Sequence, residues 1–302
     1  MAPARAAKEE PPNRWIWQMR EYPLFARLGV GMERIMGPEP QMLGGDAVNV
    51  RFGAQIDDEF LLMPSTTLRV APGAAAEYGL MEAPDPSGCA VVLDALVEAH
   101  RHQFGPGFTP QTCSAYLQMK ARHWLGKAFG RHAYYSGFTI NGCYAYERGS
   151  AYTRCGYRGL PFDRARIQDG DALEVFAFQD SLGMDYYTYF TEDGERVSEL
   201  ALRTGEVARL SLEGLMYAYG GPLRRSDRIR HHLISPVTEA QIVTVDACTG
   251  NMSPVQGAVT DERDGTAAIA FDTPGEYNVS ALGGNARHNA HLALPWLKVV
   301  VS

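Results

Sequence analysis

The sequence has few cysteines, no excess of positive charge and no long apolar run, and each shortage argues against a class of protein. Its five cysteines include no CxxC pair, and no set of cysteines and histidines has the spacing of a zinc site. The 28 basic and 35 acidic residues give a formal net charge of −7, whereas nucleic-acid-binding domains usually carry a basic excess. No apolar run is long enough to predict a membrane span.

Motifs of known enzymes are also missing. The sequence contains no GxSxG nucleophile elbow, no P-loop and no HExxH zinc motif. The eight histidines are dispersed, and most acidic clusters adjoin glycines, where aspartate favours turn geometry. We therefore expect no catalysis, no metal centre and no cofactor, with calcium in one of the acidic turns as an open alternative.

The length of 302 residues favours two domains or one large one, and the pattern along the chain predicts two and their boundaries. Residues 1–45 pass from a polar stretch into an aromatic patch, and we interpret them as an arm or linker; residues 1–12 contain no signal-like apolar stretch. In residues 46–191, predicted strands are followed by helices and then by strands again, which is an α+β arrangement. Residues 192–302 hold short strands separated by turns, which predicts an all-β sandwich.

Helical signals occur in the middle of the first domain. Apolar residues recur at helical spacing through residues 89–102, after the Asp85-Pro86 start signal. The same signal at residues 109–110 predicts a second, shorter helix that includes Leu117 and Met119.

Strand signals lie on both sides of these helices. Residues 48–52 alternate apolar and polar side chains, as a half-buried strand does. Asn141 and Gly142 stand between apolar runs, which is a hairpin signal because both residues accept positive φ. Residues 173–178 predict a strand that is mostly apolar on both faces.

Several stretches of the first domain together resemble a known family in their order and spacing. They are VLDALVEAH at residues 92–100, FxxNG at 138–142, GYRG at 156–159, IxDGD at 167–171 and ExFxxQD at 174–180. They are similar to the domain of unknown function found in Gram-positive surface proteins and related to the C-terminal domain of transcobalamin. The resemblance covers about residues 46–190 and implies a β-grasp-like fold, in which a mixed sheet wraps around one or two helices.

The end of the chain carries a second resemblance. GEYNVSA at residues 275–281 and LPWLKVVV at 294–301 resemble the last two strands of a bacterial immunoglobulin-like domain. Together the resemblances imply an extracellular or cell-surface protein, with a β-grasp-like domain followed by an all-β immunoglobulin-like sandwich. The family supplies no catalytic residues. Transcobalamin-type relatives hold a corrinoid against a helical barrel, for which this chain has no room.

Two loops are candidates for contact with a ligand or partner. The first is rich in tyrosine, arginine and glycine, and amphipathic rings on a loop suit recognition. Its candidate contact residues are Tyr144, Tyr146, Tyr152, Arg154 and Tyr157. The second is the densest positive run of an acidic chain and would suit a polyanionic glycan, a lipid headgroup or an acidic protein patch. It contains Arg224, Arg225, Arg228 and Arg230.

One disulfide is a candidate in the first loop. Cys143 and Cys155 flank a turn-rich stretch and would bridge it, and the alternative is that all five cysteines are free thiols. An odd number of cysteines leaves at least one without a partner within the chain.

These patterns predict a non-catalytic bacterial cell-surface or secreted interaction module for adhesion, display or ligand capture, with a protein or glycan partner. Two alternatives stay open. One is a small-ligand-binding protein with a pocket between the domains, holding a corrinoid-like molecule or a glycan. The other is a structural subunit of a larger assembly that docks through residues 1–45. A well-packed domain junction would favour the interaction module over the ligand-binding protein.

Overall fold

The computed structural model describes residues 45–56, 58–120, 124–133, 135–144, 146–148, 157–159, 161–178, 186–216, 234–286 and 292–302. Over these residues the chain is mostly β-structure arranged in several sheets. Apart from Gly45, the predicted arm at residues 1–45 lies outside them. No helix of the described ranges is both long and apolar enough to span a membrane.

The first unit, up to residue 178, combines strands with short helices. In chain order its elements are β1 (Val48–Ile56), β2 (Glu59–Val70), α1 (Ala74–Glu77), α2 (Val92–Phe104), a 3-10 turn (Gly105–Gly107), α3 (Cys113–Tyr116), β3 (Gln118–Lys120), β4 (Trp124–Ala128), β5 (Arg131–His132), β6 (Tyr135–Ile140), β7 (Cys143–Tyr144), β8 (Tyr146–Arg148), β9 (Tyr157–Gly159) and β10 (Ala172–Phe178).

A mixed five-stranded sheet organises this unit. Its strand order is β2-β1-β10-β6-β7. β1 and β10 run parallel in its centre, and the other pairs are antiparallel. Parallel neighbours need a long crossover, and the chain between them supplies α2. The buried side chains of α2, among them Leu93, Leu96 and Val97, share one apolar core with Phe52 and Leu173 of the sheet.

The main predicted helix is present, but it begins at Val92 rather than at residue 89. Val91 is extended and stands at the N-cap position, where its backbone N–H donates to the buried Asp94 carboxylate at 2.9 Å. The other oxygen of that carboxylate accepts the Ala75 N–H at 2.8 Å. Asp85, the predicted cap, instead forms its own turn, accepting the Ser87 N–H at 2.9 Å.

The second predicted helix is shorter than the sequence pattern indicates. α3 ends at Tyr116, and Leu117 is extended and fully buried. Met119, which the pattern placed in the helix, lies in β3. The chain leaves the helix because an extended Leu117 reaches the apolar core.

The second unit, from residue 186 on, is built from strands throughout its described residues. They are β11 (Tyr186–Glu192), β12 (Glu195–Arg196), β13 (Glu199–Leu202), β14 (Ala208–Met216), β15 (Ile234–Pro236), β16 (Gln241–Val245), β17 (Met252–Val259), β18 (Thr266–Ile269), β19 (Gly275–Leu282), β20 (Leu292–Ala293) and β21 (Leu297–Val301). The first strand of this unit begins before residue 192, where the sequence pattern placed the boundary.

Two sheets of this unit enclose one core. One has the order β12-β11-β14-β15, with β18 added to β14 and β20 to β11; the other has the order β13-β21-β19-β16-β17. Phe190 and Leu212 of the first sheet pack in one apolar cluster with Ile242, Val279 and Leu297 of the second. This arrangement agrees with the sandwich predicted from the spacing of short strands.

Candidate functional site

The two units meet at a junction formed by the sheet face that points away from α2. Leu173 and Val175 of β10 belong to the core under α2, whereas Phe176 stacks on Tyr187 of β11, with ring centroids 5.7 Å apart. The Gln55 side chain donates to the Leu294 carbonyl at 2.9 Å and accepts the Leu294 N–H. β10 is therefore covered on both faces, which explains its apolar character on both faces in the sequence.

A second part of the junction is apolar. Met63 of β2 packs in one cluster with Val243 and Val245 of β16, and the half-buried Phe60 and Trp296 lie against them. This contact and the Phe176–Tyr187 stack join strands of the first unit to both sheets of the second. Side chains from both units thus contact one another across the described part of the junction.

A polar cluster, which we name the Arg196 cluster, lies at one side of this junction. Arg196 of β12 donates from Nη1 to the Gly142 carbonyl at 3.0 Å and pairs with Glu174 of β10 at 3.4 Å. Its guanidinium lies 5.1 Å from the ring centroids of both Tyr187 and Tyr189. The cluster therefore ties the second unit to the sheet and to the hairpin turn of the first.

The tyrosines of the Arg196 cluster are neutral hydrogen-bond donors. The Tyr187 hydroxyl donates to Glu174 Oε1 at 2.7 Å, and the Tyr189 hydroxyl donates to Glu213 Oε2 at 3.0 Å. Burial raises the pKa of Tyr187 and of Tyr189 well above the usual range of a phenol. Neither hydroxyl is set up as a base or a nucleophile, so this arrangement serves structure.

Gly142 is favoured by its left-handed backbone, and its close neighbour is the flexible end of the Arg196 side chain. Its φ is 74°, and a Cβ at this position would lie 1.5 Å from Nη1 of Arg196. The sequence predicted the hairpin turn from Asn141 and Gly142 correctly, since β6 and β7 are joined there. It gave no signal that an arginine of the second unit would bind the turn.

The motif residues that carry the family resemblance hydrogen-bond to one another. Asn141 donates from Nδ2 to Asp171 Oδ1 at 2.8 Å and accepts the Ala172 N–H at 2.9 Å. The other oxygen of Asp171 accepts the Gln168 N–H at 2.7 Å. The FxxNG and IxDGD motifs therefore tie the β6–β7 hairpin to the start of β10, a structural role.

Replacing Asn141 with alanine is expected to lower the free energy of unfolding by about 2–3 kcal/mol, because two hydrogen bonds are lost and alanine disfavours the left-handed backbone at φ 52°. Chemical denaturation of the full chain measures it. Asn251→Ala, at an exposed turn residue of the second unit, is the control and should change stability by less than about 0.5 kcal/mol. An unchanged midpoint for Asn141→Ala would contradict the structural role.

The predicted tyrosine loop begins and ends in paired strands. Tyr144 lies in β7 opposite Thr139, and Tyr146 lies in β8 opposite Gly159. Tyr157 lies in β9 opposite Arg148, so the chain leaves and re-enters the loop at adjacent positions. Tyr152 and Arg154 lie outside the described residues, and so does Cys155 of the candidate disulfide. That disulfide therefore stays a prediction.

The four candidate arginines, Arg224, Arg225, Arg228 and Arg230, also lie outside the described residues. The strand ends that flank their segment are described. Met216 at the end of β14 pairs with Tyr186, which in turn pairs with Leu292. One border of each of the segments 179–185, 217–233 and 287–291, namely Tyr186, Met216 and Leu292, therefore lies at the same end of the second unit.

The described residues hold no group of three or more histidine, cysteine, aspartate and glutamate side chains placed to bind a metal. Cys89, Cys113 and Cys248 are free thiols there. Burial raises the pKa of the Cys113 thiol to about 11, which keeps it protonated and unreactive.

His100 is a buried histidine whose role the sequence pattern missed. It has no exposed surface, its Nδ1–H donates to the Leu96 carbonyl at 2.6 Å, and its Nε2 accepts the Phe129 N–H at 2.8 Å. Its ring stacks on Phe129 with centroids 4.1 Å apart. Burial lowers the pKa of His100 to about 4, so the ring is neutral and belongs to the core.

Comparison with protein-family models found no matching model, and comparison with curated proteins found no match. The solved structures that align include a chain from the work titled "Structural basis of T cell specificity and activation by the bacterial superantigen toxic shock syndrome toxin-1". The alignment has 10% identity and covers 39% of this chain and 99% of that one, with a TM-score of 0.22. A similarity at that TM-score carries no argument about fold or function.

Proposed function

We propose that the protein is a non-catalytic bacterial cell-surface or secreted interaction module, made of a β-grasp-like unit followed by an immunoglobulin-like unit. The single observation that carries the proposal is the packed and hydrogen-bonded contact between the two units. The described polar side chains that meet there, Gln55, Glu174 and Arg196, are already hydrogen-bonded to the protein itself. Chemistry on a separate ligand would need such groups to be available.

The topology of the first unit supports the β-grasp part of this proposal. The resemblance implies a mixed sheet wrapped around one or two helices. The five-stranded sheet has a parallel central pair, and α2 packs on one of its faces. The observed elements thus fit the expected arrangement without an added helical domain.

The strand pairing of the second unit supports the immunoglobulin-like part. In that fold the second and fifth strands are neighbours in one sheet, and the third, sixth and seventh form the other. Here β14 and β18 correspond to the second and fifth strands, because they pair with each other in one sheet. β16, β19 and β21 correspond to the third, sixth and seventh strands, because they follow one another in the other sheet. The short strand β13 runs parallel to β21 at the edge of that second sheet.

The small-ligand alternative predicts a different response to ligands. A ligand at about a hundred times its dissociation constant adds roughly 2.7 kcal/mol to stability, which raises the melting temperature by a few degrees for a chain of this size. We expect the melting temperature of the full chain to stay unchanged with cobalamin, calcium and zinc. A rise with cobalamin would favour the ligand-binding alternative.

Contact through the tyrosine loop is tested with peptidoglycan sacculi as the probe. We expect the full chain to co-sediment with them, and the double variant Tyr152→Ala/Arg154→Ala to lose at least about ten-fold in affinity, the effect of about 1.4 kcal/mol. An unchanged melting temperature of the double variant would show that the lost affinity does not come from unfolding. Arg263→Ala, in an exposed turn, is the matched control and should bind as the parent does.

The result that would contradict this contact is equal sedimentation of the parent and the double variant.

A set of charge variants tests the second loop in parallel, with heparin as a polyanionic probe. Replacing Arg224, Arg225, Arg228 and Arg230 by serine should lower the salt concentration at which the chain elutes from heparin. Unchanged elution would remove that loop from the proposed contact surface.

A further inference from the structure

The five-stranded sheet of the first unit ends in a regular unpaired edge. β2 is its terminal strand, and from Thr66 to Val70 it pairs residue for residue with β1 on one side. No described residue pairs with its other side. An edge of this kind offers backbone groups to an added strand.

The register identifies which backbone groups are available. Arg51 of β1 donates its N–H to Asp171, and the Asn49 carbonyl accepts the Gly170 N–H, so both residues use their groups towards β10. In an antiparallel pair, opposite residues either bond each other or both point away. Arg51 lies opposite Thr67, and Asn49 lies opposite Arg69. The N–H and C=O groups of Thr67 and Arg69 therefore point outwards.

Other sheet edges of the described residues are shorter or blunted. β7 and β12 contain two residues each. β17 contains Pro254 and an irregularity in its pairing with β16 between Gln241 and Val243. Proline and bulges protect edges from strand addition. β2 contains Pro64, and its pairing with β1 is irregular between Phe52 and Gln55, but residues 66–70 carry neither feature.

The exposed side chains beside this edge carry positive charge. Arg51 and Arg69 lie on the same face of the sheet, with Asn49 and Thr67, and all four are exposed or half-buried. No acidic side chain of the described ranges pairs with either arginine. The nearby Asp169 carboxylate is occupied by the backbone and side chain of Asn49, at 2.8 and 3.1 Å. A partner strand with acidic side chains on this face would complement the two guanidinium groups.

We propose that the β2 edge binds an extended acidic segment of a partner protein as an added strand. The segment bonds to the outward N–H and C=O groups of Thr67 and Arg69. Its acidic side chains lie on the face of Arg51 and Arg69, and its apolar side chains alternate onto the face of Leu68 and Val70. This surface is separate from the tyrosine loop of the proposed function.

The test titrates the full chain with a peptide of about six residues that alternates glutamate and valine, a length that matches one added strand. We expect amide hydrogen exchange at Thr67 and Arg69 to slow by at least ten-fold at saturation, and binding to weaken as salt rises. A peptide that alternates lysine and valine should not bind. No change in exchange at these two amides on adding the acidic peptide would overturn the proposal.

Two variants assign the binding to this edge. Thr67→Pro removes an outward N–H that makes no hydrogen bond within the sheet, so the fold should tolerate it while peptide affinity falls at least ten-fold. Thr67→Val keeps the N–H and is the matched control. If Thr67→Pro fails to fold, Arg69→Glu replaces it and should repel the acidic peptide and accept the lysine one. Equal binding by parent and variants would contradict the proposal. Protection of both amides by rising protein concentration alone would identify a second copy of the chain as the occupant instead.

Discussion

Replacing Arg196 with methionine is expected to lower the free energy of unfolding by about 2–4 kcal/mol and to let the two units unfold at different temperatures. Breaking a buried pair by removing one partner costs about 3–5 kcal/mol, and this pair lies somewhat below that because the side chains of Arg196 and Glu174 remain 22% and 15% exposed. The substitution also leaves the Gly142 carbonyl without its guanidinium donor. Calorimetry of the full chain, which resolves separate transitions, measures both effects.

Two further variants make this test specific to the guanidinium group. Arg196→Lys keeps the charge but loses the planar guanidinium that reaches Gly142 and Glu174 together. Its free energy of unfolding should therefore lie between those of the parent and of Arg196→Met. Arg209→Met removes an exposed arginine from β14 and should change stability by less than about 0.5 kcal/mol. A single transition for Arg196→Met, at the parent temperature, would show that the Arg196 cluster does not couple the two units.

Much of the local structure could be predicted from the sequence, because it depends on neighbouring residues. The Asn141-Gly142 turn follows from two residues that accept positive φ, and the helix follows from apolar spacing through residues 89–102. Its start shifted to Val92 because Asp94 bonds a backbone N–H of α1, a contact from another part of the chain. The second helix stopped at Tyr116 because the core contains Leu117.

The junction could not be predicted in this way. The sequence shows that residues 173–178 are apolar on both faces, but not which surface covers the second face. That surface comes from Tyr187 of β11 and Leu294, which lies more than two hundred residues after its partner Gln55. Arg196 and Gly142 are also far apart in the chain, and no periodicity joins them. Contacts of this kind depend on the packing of whole sheets.

For the candidate contact residues, too, the sequence predicts one part and only the structure shows the other. Tyrosine and arginine content marks the loop, and the strand register shows that its two ends are adjacent at Arg148 and Tyr157. The sequence also marks carboxylates such as Asp169 and Asp171, which the structure assigns to internal hydrogen bonds. Composition therefore identifies polar residues but does not say what they bind. Only the structure separates those that hydrogen-bond within the protein from those that are available to a partner.

The second large effect is expected on acidification, through His100. Its folded pKa of about 4 is lower than the ordinary value of 6.5, so the unfolded chain binds the proton more tightly. The stability from neutral His100 is therefore complete above about pH 6.5 and is lost as the pH falls towards 4, a total of about 3 kcal/mol. The geometry gives the reason, since a protonated Nε2–H would face the Phe129 N–H, donor against donor.

The measurement compares the free energy of unfolding at about pH 7.5 and about pH 4.5 for the parent and for His100→Gln, which cannot take up the proton. The parent should lose about 2–3 kcal/mol more than the variant over this interval, although the variant starts from a lower stability because it packs less well against Phe129. His102→Gln is the matched control, because His102 is exposed on the same helix, and it should lose as much as the parent. The carboxylates contribute equally in the parent and in both variants. The difference in lost free energy of unfolding therefore reports on His100 alone. Parallel curves for the parent and His100→Gln would show that His100 is not held neutral by the core.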